Sequence, residues 1–148
     1  GNAGTTGSGG NAGNITLDAA GTTPVITLAG NLSAIGGNQT GGTTGAGGDI
    51  RIKKDVLLNA ATVALDARGG NAGAGTGGNV QFDGTINSTG GVRALTIAAG
   101  TGDVTLAGTV GATSALGNLT VTANDISVAA IGGGAAGAAH PRLRCQQL

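Results

Sequence analysis

The stretch Gly78-Asn79-Val80-Gln81-Phe82-Asp83-Gly84-Thr85-Ile86 decides how the chain is read. An Asn opens it, apolar and polar residues alternate through Val80, Gln81 and Phe82, and Asp-Gly closes it. Alternation with period two, bounded by Gly, Asn and Asp, is a strand signal, and no part of the chain shows helical spacing. The opening pattern recurs as Asn14-Ile15-Thr16-Leu17, Asp49-Ile50-Arg51-Ile52, Asp103-Val104-Thr105-Leu106 and Asp125-Ile126-Ser127-Val128. Successive starts lie 35, 30, 24 and 22 residues apart. A second alternating segment follows the first four: Ile26-Thr27-Leu28, Val63-Ala64-Leu65, Leu95-Thr96-Ile97 and Leu119-Thr120-Val121. Short elements at matching offsets, Gly84-Thr85-Ile86 and Gly108-Thr109-Val110, lie between them.

The longer spacings have a simple origin. Two Gly-Gly-Asn openings, at Gly36-Gly37-Asn38 and Gly69-Gly70-Asn71, begin Gly/Ala/Thr excursions that run to Gly48 and Gly78. Insertions of this kind map to loops on one face of a repeat array, and without them the repeats fall to roughly 20 to 22 residues. At about 3.3 Å per residue that length gives a circuit near 70 Å, room for three short strands and their turns. Strands stacked about 4.8 Å apart would bring Ile15/Leu17, Ile50/Ile52, Val80/Phe82, Val104/Leu106 and Ile126/Val128 into continuous inward columns. Glycine and asparagine are expected at corners, where a positive φ is needed.

Composition agrees with a repeat and removes several functions. Of 148 residues 33 are Gly, only 9% are charged, Phe82 is the one aromatic, and the net charge is zero. Frequent Val, Ile and Thr with no net charge argue against disorder. A neutral chain lacks the basic patch that nucleic acid or an anionic membrane surface would need. No apolar run is long enough to cross a bilayer, and the first residues read as the middle of a repeat, with the export signal elsewhere. One cysteine, Cys145, makes no internal disulfide.

The repeat text, above all residues 78–86 and Gly117-Asn118-Leu119-Thr120-Val121-Thr122-Ala123, resembles the repeats of filamentous-haemagglutinin-like adhesins and autotransporter passengers. The likeness covers residues 1 to about 131. The fold expected is therefore all-β, a right-handed parallel β-helix (β-solenoid) of about five coils of 22–35 residues. Handedness, secretion and location come from the resemblance. It implies a structural stalk segment of a secreted or surface-exposed adhesin on a Gram-negative cell, exported by an outer-membrane secretion partner or barrel toward a host or surface receptor. The expected domains are the repeat region 1–131 and a flexible tail 132–148. That tail holds Gly132-Gly133-Gly134-Ala135-Ala136-Gly137 and then His140, Cys145 and two of the seven cations, Arg142 and Arg144.

No enzyme, cofactor or catalytic residue is expected. Catalysis by acid, base or nucleophile needs titratable groups converging in a cleft. The only His is in the tail, and seven Asp are spread along the repeats with no aromatic sugar platform. Gly73-Ala74-Gly75-Thr76-Gly77-Gly78 matches G-x-G-x-x-G, but a strand follows it where a dinucleotide site needs a helix, so it reads as a loop. Gly100-Thr101-Gly102-Asp103 falls short of the calcium nonapeptide, and no nine-residue repeat accompanies it. Asn-x-Ser/Thr triplets start at Asn14, Asn31, Asn38, Asn87 and Asn118, as chance gives in a chain rich in Asn and Thr. The metal-site expectation is none, with one weak cation candidate. If the repeats align, Asp103 and Asp125 become adjacent like charges at one corner, which would raise one apparent pKa or recruit a cation.

The same alignment places Asp18, Lys53 and Asp83 at one outward position, so Lys53 should lie between the two carboxylates. An ice- or surface-binding array is the alternative function. It would use the outward Thr16, Thr27, Thr96, Thr105 and Thr120, which Arg51, Gln81, Ser127 and Ala64 interrupt. A polysaccharide-acting enzyme is the third reading. Open strand edges at the ends of the repeat predict end-to-end self-association.

Overall fold

The computed structural model describes residues 7–132 and 142–147. Thirteen strands carry the described fold, with one helical turn, α1 (Gly70–Gly73). The first repeat gives β1 (Ile15–Leu17), β2 (Val25–Leu28) and β3 (Leu32–Ser33). The second gives β4 (Ile50–Ile52), β5 (Asp55–Leu58) and β6 (Thr62–Asp66), and the third β7 (Val80–Phe82), β8 (Ile86–Ser88) and β9 (Ala94–Ala98). Then come β10 (Val104–Val110), β11 (Asn118–Ala123), β12 (Ile126–Ile131) and β13 (Arg142–Gln147).

All pairings are parallel, and each joins one repeat to the next. Ile15 pairs with Ile50, Ile50 with Val80, Val80 with Val104, and Val104 with Ile126. This is the register expected from the Asn/Asp-led motifs. Alternation sorts the side chains accordingly: Ile50, Ile52, Val80, Phe82, Val104 and Leu106 are buried, whereas Arg51 is exposed and Gln81 and Thr105 are half-buried. Each of these strands pairs with its counterpart in the next repeat, so a glycine-rich chain acquires a continuous apolar interior.

The second set of segments pairs differently from expectation. Val63, Leu95 and Leu119 do align, through β6, β9 and β11. Ile26–Leu28 does not join them: β2 pairs with β5, Ile26 opposite Val56, and β5 pairs with β8. The strand that pairs with β6 in the first repeat is β3, with Leu32 opposite Leu65. Asp55–Leu58, a strand that the repeat alignment passes over, is the true partner of β2.

The expected fold class, a right-handed parallel β-helix of about five coils, is corrected. Two columns that would run separately up such a shaft are one sheet. β10 pairs with β7 through Val104–Leu106 and with β8 through Val110. Seven parallel strands, in the order β1-β4-β7-β10-β8-β5-β2, therefore form a continuous, nearly closed, barrel-like wall, with β12 branching from β10. A five-stranded sheet, β13-β11-β9-β6-β3, completes the described structure. The physical reason lies in β10. Its seven residues carry extended backbone around a corner that earlier repeats break, with an irregularity between Leu106 and Thr109 against β12. A bulge of that sort bends a strand without ending its pairing.

The glycine excursions are corrected too. They are irregular apart from α1, as loops are, but are packed together rather than left in solvent, with Gly36, Gly37, Gly45, Gly69, Gly70 and Gly75 all buried, although Asn38 and residues 40–43 are exposed. Gly37 N–H donates to Gly10 O at 2.8 Å, Gly45 N–H to Gly37 O at 3.0 Å, and Gly70 N–H to Gly45 O at 2.9 Å. Backbones approach so closely that a Cβ on Gly36 would overlap the Gly45 carbonyl and one on Gly70 the Gly37 carbonyl. Only glycine admits such an approach. The G-x-G-x-x-G stretch belongs to this packing, and α1 beside it turns left-handed at Asn71 (φ 53) and Ala72 (φ 55).

The flexible tail expected over 132–148 lies largely outside the described residues. Within it, Arg142–Gln147 form β13, paired in parallel with β11.

Candidate functional site

The most repetitive polar feature is a ladder at the corner that leads into β1, β4, β7, β10 and β12. Asn14 Oδ1 accepts the Asp49 N–H at 2.9 Å, and Asp49 Oδ1 accepts the Asn79 N–H at 2.8 Å. Asn79 Oδ1 then accepts the Asp103 N–H at 2.9 Å, and Asp103 Oδ1 the Asp125 N–H at 3.2 Å. The corner residues thus act through side-chain oxygen on the backbone of the next repeat. Positive φ, the expected reason for Asn there, is found among described non-glycine residues only at Asn71 and Ala72. Asn and Asp are interchangeable in this role because each offers an Oδ1 acceptor.

Asp103 and Asp125, the weak cation candidates, are successive rungs of this ladder. Both are exposed. Asp103 Oδ1 also accepts from Asn124 Nδ2 at 3.1 Å, so the oxygen facing the next repeat is occupied by two N–H donors. Among the described residues no three His, Cys, Asp or Glu gather as metal ligands would.

Further rungs escape a reading based on one corner. Asn11 Oδ1 accepts the Ala46 N–H at 2.8 Å, Asn31 Oδ1 the Ala64 N–H at 2.9 Å, and Asp55 Oδ1 the Thr85 N–H at 2.7 Å. Asn38 Oδ1 takes the Asn71 N–H at 2.6 Å. Asn87 is buried and receives both Thr113 and Ser114 N–H, at 2.9 and 3.2 Å. Asn or Asp standing just before an apolar strand residue, as at Asn31-Leu32 and Asp55-Val56, was the signal available for two of these. Four of the Asn-x-Ser/Thr asparagines, Asn14, Asn31, Asn38 and Asn87, thus use their side-chain oxygen in bonds between repeats.

Charged side chains pair on the outer surface. Lys53 Nζ lies 3.5 Å and Lys54 Nζ 3.7 Å from the Asp18 carboxylate. The expected Asp18–Lys53 neighbours therefore meet, but Asp83 takes Arg51 instead, at 2.9 Å, with Gln81 Nε2 on its other oxygen at 2.6 Å. Guanidinium reach explains the exchange: Arg51 sits one repeat below Gln81 and two residues back from Asp83's own partner position. Asp66 and Arg68 form a close pair with contacts of 2.6 to 3.1 Å. Partial burial pushes the Asp66 carboxyl up, yet hydrogen bonds from the Arg68 side chain and backbone, with its charge, hold it below the usual range. The same hydrogen bond raises Arg68.

Two shallow clefts accompany these groups. One of about 350 Å³ is lined by Thr22, Thr23, Pro24, Lys53, Lys54 and Asp55. The other, about 290 Å³, lies between Ser88–Val92 and Ser114–Ala115. In the first, both lysines face Asp18, and Asp55 is a ladder rung. No acid–base pair or nucleophile with an adjacent base is assembled in either cleft. His140 lies outside the described residues. No described helix is long and apolar enough to cross a membrane.

Comparison of the chain with protein-family models, curated proteins and solved structures finds no match.

Proposed function

We propose that the chain is a non-catalytic structural segment of a secreted or surface-exposed bacterial adhesin, holding a binding region away from the cell. The observation that carries this reading is the Asn/Asp ladder, in which polar side chains join one repeat to the next. The pairs Arg51–Asp83 and Lys53–Asp18 follow the same use across the outer surface. Bonds from each repeat to its neighbour support a structural role. Resemblance of residues 78–86 and 117–123 to filamentous-haemagglutinin-like repeats supplies the adhesin class. It also supplies export through an outer-membrane partner or barrel and a Gram-negative cell surface.

Strand edges add a second expectation within this reading. Among the described residues β1, β2 and β3 each pair on one side only, and Ile15, Leu17, Ile26 and Leu32 there are only half-buried. Such an edge receives another chain's strand, so copies of this segment should associate end to end.

Antibodies raised against the chain test the location and role together. They should label intact producing cells, and the purified chain should leave a panel of polyuronates and glycans unchanged. Labelling only after permeabilisation, or release of product from any member of the panel, would overturn the proposal.

A further inference from the structure

The two sheets end differently. Among the described residues β12, the last strand on the β10 side, has no further neighbour, whereas β11 carries β13 along its whole length. All six residues are in register, from Asn118 opposite Arg142 to Ala123 opposite Gln147. The pattern of the tail matches that of the strand it covers. Leu143 and Cys145 stand opposite Leu119 and Val121, which are buried. Arg142, Arg144 and Gln146 stand opposite Asn118, Thr120 and Thr122, which are exposed or half-buried. A period-two match between distant segments is what parallel pairing with one buried face requires.

The composition of β13 is that of a strand meant to be last. Pro141 precedes it, and proline is tolerated at the start of an edge strand because it cannot donate to a ladder. Cations at alternate positions, here Arg142 and Arg144, discourage pairing with a further strand. A second copy's β13 in the same register would set Arg against Arg.

We propose that β13 is a capping strand, which occupies the edge of β11 and keeps a second copy of the chain from adding a strand there. The inference rests on the open-edge reading above and concerns only the opposite end of the molecule. It makes the tail a limiter of end-to-end growth, displaceable by a segment of like pattern.

The test uses the full chain with Leu143→Pro, which removes an N–H and breaks β13, and separately with Leu143→Asp plus Cys145→Asp. Backbone hydrogen exchange is followed over Leu119–Ala123, with Ile50–Ile52 as reference, and assembly by sedimentation velocity. The expected result is roughly tenfold or faster exchange in β11 alone, the range that local opening gives. Assemblies should be larger and grow more steeply with concentration in both variants than in the unaltered chain. A free peptide with the sequence of residues 141–147 should restore slow exchange and suppress assembly. Unchanged β11 exchange in both variants overturns the capping role, as do equal assemblies in the unaltered chain. Fast exchange with no assembly in any sample overturns the open-edge reading and the blocking role with it, while peptide rescue of the exchange still upholds the seat of β13 on β11.

Discussion

Replacing Phe82 by Ala is the most informative single perturbation of the interior. Phe82 is fully buried, the largest such side chain in the described structure, and lies between Ile52 of β4 and Leu106 of β10. Loss of a buried phenyl costs about 3–5 kcal/mol, the larger values where neighbours cannot close the gap. Here they cannot close it. The backbones of β4 and β10 are held to β7 by ladder hydrogen bonds on both sides, fixing the repeat spacing at about 4.8 Å. We therefore expect the upper half of that range, a large share of the roughly 5–15 kcal/mol that a domain has in total. Gln81→Ala, one residue away on the outward face, should stay within about 0.5 kcal/mol apart from its bond to Asp83. Urea unfolding followed by circular dichroism measures both, with the slope against denaturant checking that the comparison is two-state. A Phe82→Ala loss below about 1 kcal/mol, or one equal to that of Gln81→Ala, would refute the in/out assignment of the β4–β7–β10 face. The charged pair Phe82→Asp and Thr105→Asp should differ in the same sense, by several kcal/mol on the order of an unpaired buried carboxylate.

Gly70→Ala should lower the thermal midpoint sharply or prevent folding, because its Cβ meets the Gly37 carbonyl, whereas Gly30→Ala meets nothing within 4 Å and should be near neutral; equal midpoints would show that the excursions are not closely packed. Asn79→Ala leaves the Asp103 N–H without its acceptor and should cost about 1 kcal/mol in chemical denaturation, while Asn79→Asp keeps the Oδ1 and should cost much less. For Asp66, a carboxyl held low in the folded chain stabilises it above the unfolded value, about pH 4, and loses that contribution as pH falls through the lower folded value. The stability gap between the unaltered chain and Asp66→Asn should accordingly be constant from neutral pH to about pH 5 and shrink below about pH 4; a gap that widens on acidification would reverse the sign of the argument.

Reading the residues alone was enough for the parallel pairing, the five-repeat register from Ile15 to Ile126, and the inward columns of Ile, Val, Leu and Phe82. Those follow from local chemistry: alternation with period two assigns faces, and Asn or Asp before each strand marks where a repeat begins. The partner of β2 was decided by tertiary structure, because Ile26–Leu28 alternates as well as Leu32–Ser33 does and period two cannot choose between them. The ladder's mechanism also needed coordinates. An Asn at a corner is compatible with positive φ or with a side-chain bond, and only the backbone of the next repeat, 22 to 35 residues away, selects the second. Glycine content reads as loop until two backbones are seen within hydrogen-bond distance, since the absence of a side chain leaves no apolar pattern to betray burial. The joining of two columns through β10 into one nearly closed sheet depends on contacts between segments that share no local signal, and the seat of β13 on β11 on a period-two pattern that matches several strands equally well. Sequence periodicity sets which face a residue shows; only packing of the whole chain sets which strand it shows that face to.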